Sequence, residues 1–323
     1  MKITKSKAKL WSKLGSRAVF GMALTELAEE YPDFYAVSGD LCRSSGLSRF
    51  QEKYPDRFIN MGIAEQNMIG VAGGLAKNGM MVFATSFAPF ITMRAAEQVR
   101  MNLGYMQLNV KIVGLGAGLV MSGLGNSHYG LEDVSVVRSI PNITVISPAD
   151  CGAIAKLLEA VLQFPEPAYI RLTGGSDNPI VYNDDCDFTI GKANRLSEGS
   201  DIAIIATGTM VYQSLKAAEI LSQQNISTSL IDMHTIKPLD TNCIDTLLSH
   251  KLIVTVEEHT IVGGLGSAVA EYLAPRKTKP PHLIIGINDK FPSAGSYAYL
   301  LDQCGLTPEK IATQILKYYA PEK

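Results

Sequence analysis

Apolar runs rich in Val and Ile alternate along the chain with longer stretches of helical periodicity, the pattern of parallel βαβ units. In the first half, strands are expected at 34–39, 80–85, 108–114, 143–147 and 168–172, with helices near 16–30, 64–78, 89–103 and 149–162 between them. The last of these helices is entered by Pro148 and carries Asp150 in its first turn, where a carboxylate meets the positive end of the helix dipole. Strands apolar on both faces need helices on both faces, which predicts a doubly wound α/β sheet. From 175 to 200 the periodicity gives way to Asp, Asn, Pro, Gly and Ser, including the charged turn Asn183-Asp184-Asp185, and this stretch reads as a linker. A second βαβ series follows, with strands at 201–207, 227–232, 252–257 and 282–287, and Thr307 caps a closing helix with Glu309 two residues on. The expected division is two α/β domains, 1–182 and a smaller 183–323, without internal repeats.

Composition narrows the class. With 46% hydrophobic and 19% charged residues, 323 residues can bury a sizeable core. A net charge of −2 offers no basic footprint for nucleic acid. No run approaches the roughly 18 to 20 apolar residues that span a bilayer, and the first ten residues lack the apolar core of a signal peptide, so a cytoplasmic location is expected. Cys42, Cys151, Cys186, Cys243 and Cys304 form no CxxC pair and have no His at zinc spacing. They are expected to be free and mostly buried, and no metal site is expected in this chain.

The most informative stretch is Asn60-Met61-Gly62-Ile63-Ala64-Glu65-Gln66-Asn67, because it places one carboxylate at the start of a helix otherwise built of small residues. Such a Glu is ordinarily a solvated charge favourable to the dipole. Here Gly70, Ala72, Gly73, Gly74 and Ala76 lower helix propensity, which makes sense where another backbone or a ligand approaches closely. A Glu buried in that setting has to be partnered or protonated. Phe87 and Phe90, taken alone, read as a core aromatic pair at i, i+3, with faces for a ligand as the alternative. His128 sits among Gly123, Gly125, Asn126, Ser127 and Gly130, a loop suited to placing a polar side chain. The glycines at 114, 116 and 118, and the run Gly263-Gly264-Leu265-Gly266 opening a helix, are weak evidence for phosphate binding.

These segments, with Phe83-Ala84-Thr85-Ser86-Phe87, Ser127-His128-Tyr129-Gly130-Leu131-Glu132-Asp133, Ser147-Pro148-Ala149-Asp150 and Glu257-Glu258-His259, resemble in order the pyrimidine-binding and C-terminal domains of transketolase and of deoxyxylulose-phosphate synthase. The resemblance implies thiamine diphosphate as cofactor. It implies that Glu65 hydrogen-bonds a ring nitrogen of the aminopyrimidine, that Phe87, Phe90, Ile63 and Met93 line the cofactor, and that His128 faces the reacting centre. Ser44, Arg94 and His128 are the substrate candidates. In these families a separate domain holds Mg2+ or Ca2+ and the diphosphate through a Gly-Asp-Gly element, and this sequence contains none. The resemblance therefore implies an N-terminal partner subunit, with two copies of each chain in a heterotetramer that transfers a ketol or acyl unit from a ketose or 2-oxo acid to an aldehyde. A decarboxylating carboligase subunit of the deoxyxylulose-phosphate synthase type and a non-catalytic scaffold or regulatory subunit are the alternatives. Leu124, Gly174 and Gly116 stand where transketolases place an Asp, an Arg and a His toward the sugar. Weakened phosphate recognition is expected unless Arg43, Ser44, Arg94, Arg171 or the partner restores it.

Overall fold

The computed structural model describes residues 1–319. Its strands are β1 (Phe34–Ser38), β2 (Phe58–Asn60), β3 (Met81–Phe87), β4 (Val110–Leu115), β5 (Thr144–Ile146), β6 (Ala168–Arg171), β7 (Asn194–Ser197), β8 (Ile202–Ala206), β9 (Thr228–Asp232), β10 (Thr235–Lys237), β11 (Leu252–Thr260) and β12 (His282–Ile287). A seven-stranded sheet runs β10-β5-β6-β4-β3-β1-β2 and a five-stranded sheet β12-β11-β8-β9-β7. All neighbours are parallel except two edge pairs, β10 with β5 and β7 with β9, which are antiparallel.

Apart from β2, a three-residue strand parallel to β1 that is absent from the expected elements, the parallel strands lie where the apolar runs put them, and β4 is buried at every position. The first sheet borrows its edge strand β10 from the second half of the chain, and β7 falls inside the stretch expected to be only linker. Both edges are three or four residues long and pair through tertiary contact, so they leave no periodicity to read. An N-terminal helix, Lys5–Leu14, is also absent from the expected elements; Thr4 accepts from Lys7 N, and Ala8 and Trp11 are its buried residues.

Three expectations need correction. Residues 89–103 form no single α-helix: Phe90–Arg94 and Arg100–Tyr105 are π-helical, with one α-turn, Ala96–Val99, between them. Thr92 Oγ1 donates to Ala88 O at 2.7 Å and Asn102 Nδ2 to Gln98 O at 2.9 Å, and side chains that bond the i−4 carbonyl compete with the helical ladder. Asp150 is the cap of helix Cys151–Leu162, not a first-turn residue: one oxygen accepts from Ala153 N, the other from Val181 N and Tyr182 N, which pins the start of the linker. All five cysteines are free, yet only Cys151 is buried and the others are half-buried. Among the described residues no helix is long and apolar enough to cross a membrane.

Strand order decides where a ligand can sit. From β1 the chain first moves outward to β2, then returns to place β3 on the other side of β1 and continues through β4. Connections leave β1 and β3 in opposite directions, so a crevice opens at the carboxyl ends of those two strands, the usual binding place of an open parallel sheet.

Candidate active site

Gly39 follows β1 and Ser86-Phe87 end β3, so both reach that crevice, and helix Glu65–Lys77 starts above it. Glu65 is 2% exposed. Its Oε1 accepts from Ser86 Oγ at 2.9 Å and its Oε2 from Arg94 Nη1 at 2.8 Å. Burial alone would raise this carboxyl, but the bonds from Arg94, the helix's own N–H and Ser86 outweigh it and hold the group below the ordinary carboxylate range. Of the two states open to a buried Glu, the geometry matches the partnered one.

Three half-buried rings stand beside it. Phe87 and Phe90 meet edge to face at 5.9 Å, and the His128 ring lies 5.6 Å from Phe87 and 5.2 Å from Phe90. His128 Nδ1 is 3.0 Å from Ser127 Oγ. The loop carrying His128 is tied down at both ends, by Asn126 Nδ2 to Pro292 O and by Tyr129 OH to Ser122 O. Met93 is 40% exposed on the π-turn, and Ile63 is 76% exposed just before Glu65. Arg94, expected toward substrate, is engaged by Glu65, and its guanidinium lies 4.0 Å over the Phe90 ring.

Ser44 lies apart from this group, in a cleft of about 380 Å³ shared with Arg17, Arg43, Gly15 and Gly175. Gly15, at φ +84°, precedes helix Ser16–Leu27 with no side-chain cap, and the first turn holds no acidic residue. The uncapped helix start, Arg17 and Arg43 thus line one cleft, a setting suited to an anion. Arg17 is not among the residues the sequence singles out, although a cation in the first turn of a glycine-capped helix opposes the dipole and is itself a signal. Gly175 at the edge of this cleft packs toward Val120, where a Cβ would lie 3.3 Å away, while Gly116 packs toward Met121 and Phe87, at 2.8 and 3.6 Å from a Cβ.

The backbone also explains two missing side chains. Gly116 and Gly174 have φ of +61° and +76°, and a Cβ on Gly174 would come within 2.7 Å of Asn178. A His or Arg at these positions would be strained as well as crowded. Leu124 is 53% exposed. Arg171 cannot substitute for them, since it is 1% exposed and spent on Asp133 Oδ2 at 2.7 Å and on the carbonyls of Gly130 and Glu258. The Gly263–Gly266 turn is closed to phosphate because Leu265 N and Gly266 N both donate to the Glu257 carboxylate. Among the described residues no group of three or more His, Cys, Asp or Glu is placed to hold a metal ion.

Residues 12–176 match the family described as transketolase, pyrimidine binding domain, and residues 191–311 that described as transketolase, C-terminal domain. The chain belongs to the transketolase family. Within the transketolases it is 38% identical over 307 residues to an apulose-4-phosphate transketolase subunit of Phocaeicola vulgatus, covering 94% of this chain and 97% of that one. It is also 38% identical over 289 residues to a 6-deoxy-6-sulfo-D-fructose transketolase subunit of a Clostridium species, covering 89% of each. Among solved structures, a split gene transketolase, an inactive beta4 tetramer, is similar with a TM-score of 0.85 and 36% identity, over 96% of this chain and 99% of that one.

Proposed function

We propose that this transketolase chain is the pyrimidine-binding half of a split, thiamine-diphosphate-dependent enzyme that moves a two-carbon ketol unit from a ketose with an anionic tail to an aldehyde. The observation that carries the reading is the buried Glu65 carboxylate opening onto the crevice edged by Phe87, Phe90 and His128. These residues fit the aminopyrimidine half of the cofactor: a carboxylate held at a helix start for a ring nitrogen, and aromatic faces for the ring. When bound, the cofactor supplies the carbanion that breaks and makes bonds next to a carbonyl. Glu65 orients the ring and holds the proton shared with its nitrogen. Phe87 and Phe90 exclude water from that hydrogen bond, which strengthens it. His128, half-buried and bonded to Ser127, is placed to exchange a proton with the donor's hydroxyl or carbonyl oxygen.

The sequence has no Gly-Asp-Gly element, and two related chains of similar extent are named as transketolase subunits. We therefore assign the diphosphate and its Mg2+ or Ca2+ to an N-terminal partner, with two copies of each chain in the active assembly. For the donor's tail, the Arg17, Arg43 and Ser44 cleft supplies the anion recognition that the glycines at 116 and 174 do not.

Reconstitution tests the reading. Light scattering should give a tetramer of two and two with a transketolase N-terminal half carrying Gly-Asp-Gly, and only that complex should turn over ketose phosphates or sulfonates. Full activity from the isolated chain would defeat it, as would a complex active on pyruvate alone.

A further inference from the structure

The surfaces assigned above to the cofactor's pyrimidine are engaged by a side chain of this same chain. Glu65 Oε2 accepts from Arg94 Nη1 at 2.8 Å, and the same guanidinium stacks 4.0 Å over Phe90. Arg94 reaches this place from the rim: its side chain is 44% exposed while that of Glu65 is 2% exposed. Among the described residues the guanidinium makes this single hydrogen bond, with one of its five donors. It is therefore held by two contacts, both to groups the pyrimidine needs, and by nothing that would resist its swinging out to water. The backbone beneath it is the π-helical turn Phe90–Arg94, an over-wide turn of the kind that recurs at functional sites, and Gln66 Nε2 from the Glu65 helix bonds Arg94 O at 3.2 Å. The base of the arm is thus fixed to the site while its tip is free to leave.

We propose that Arg94 is a placeholder latch: it occupies the pyrimidine pocket of the unloaded subunit, keeps the buried Glu65 charge partnered there, and yields its place on Glu65 and Phe90 when the aminopyrimidine enters. The proposal rests on the cofactor reading above. It has a physical motive. A split enzyme has to keep a half-site intact while the diphosphate half is on another chain, and an unpartnered buried carboxylate would be costly in that interval. Arg94 supplies the partner from a position that a ligand can displace, at the expense of affinity, because a ligand sees only the fraction of molecules in which the latch is open.

The test uses the isolated subunit and a neutral probe, 4-amino-5-hydroxymethyl-2-methylpyrimidine, titrated by calorimetry or by NMR shifts. Arg94→Ala should bind the probe about tenfold more tightly than the wild type, and raising NaCl should tighten the wild type but leave Arg94→Ala unchanged. Equal or weaker binding by Arg94→Ala overturns the latch. The double variant Glu65→Gln with Arg94→Ala separates the two ideas: if it binds as well as Arg94→Ala, or if no variant binds at all, the pyrimidine-site reading falls and the latch with it. A second readout needs no ligand. The carboxyl carbon of Glu65 should titrate below the ordinary range in the wild type and move upward in Arg94→Gln, where only the bonds from Ser86 and the helix's own N–H still oppose burial; an unchanged midpoint means the pair does not exist in solution, which also overturns the proposal.

Discussion

Arg17→Gln is the perturbation that most directly probes substrate choice. Arg17 sits in the first turn of helix Ser16–Leu27, half-buried, in the cleft it shares with Arg43 and Ser44. A charge-assisted hydrogen bond contributes about 1.5–3 kcal/mol, so its loss should lower kcat/KM for a phosphate- or sulfonate-tailed ketose by about 10- to 150-fold. Arg43 is exposed, its contact is better screened, and Arg43→Gln should cost under about tenfold. A neutral ketose of the same length has no anion to lose, and its kcat/KM should fall by less than about threefold in either variant. The assay is steady-state kinetics of the reconstituted complex on the tailed and neutral donors, with thermal unfolding of each variant as the control for fold. Equal loss on both donors would show that Arg17 acts through folding or assembly. No loss on the tailed donor would show that the tail binds elsewhere, and the argument from the open helix start would be wrong.

Three further outcomes are expected. Glu65→Gln keeps a hydrogen-bonding side chain but removes the acid, so hydrogen–deuterium exchange at the thiazolium carbon of the reconstituted enzyme should slow by orders of magnitude, and wild-type exchange would remove Glu65 from the mechanism. Arg171→Met strands Asp133, which is fully buried beside it at 2.7 Å, and should cost about 3–5 kcal/mol in urea unfolding; a loss under about 1 kcal/mol would mean that the charge is relieved another way. Lys111 is fully buried with Nζ on the carbonyls of Phe164 and Glu166, and burial pulls it from 10.5 to about 7. Because its folded pKa lies below the unfolded value, its cost to stability is full below about pH 7 and fades as pH rises toward 10.5, so Lys111→Met should raise the unfolding free energy at pH 6 and flatten its rise between pH 7 and 10. An unchanged slope would count against a charge-excluding pocket.

What was legible in the sequence follows from the range of the interactions involved. The first strand, expected at 34–39, runs Phe34–Ser38, because a strand covered on both faces must be continuously apolar. Glu65 stands out because a lone carboxylate among glycines and alanines is a local anomaly. Its partner Arg94 lies 29 positions away on a π-turn that helical periodicity reads as ordinary α-helix, so the ion pair leaves no local trace. Strands β7 and β10 escape for the same reason, since their pairing is decided by the strand they meet.

The two halves of the chain show how one local device comes to opposite ends. Each half has a helix opened by glycine with no side-chain cap, Gly15 before Ser16–Leu27 and Gly264 before Leu265–Leu273. In the second, β11 delivers Glu257 against the helix start, and its two oxygens take Leu265 N at 2.8 Å and Gly266 N at 2.7 Å. Full burial pushes that carboxyl up to about 7, so it sits there at a cost that the two N–H bonds offset only in part. A Cβ on Gly264 would collide with Glu257 Oε2, so the glycine is needed to admit the carboxylate, and no space is left for a ligand. In the first half no acidic side chain arrives, Arg17 is added at the positive end of the dipole, and a cleft remains open above it. A cation placed against a helix dipole is unfavourable until an anion joins it. The second helix start is already satisfied by Glu257, whereas the first has no acidic side chain against it, which is why the proposed tail site is placed in the half of the chain that also holds Glu65 and His128.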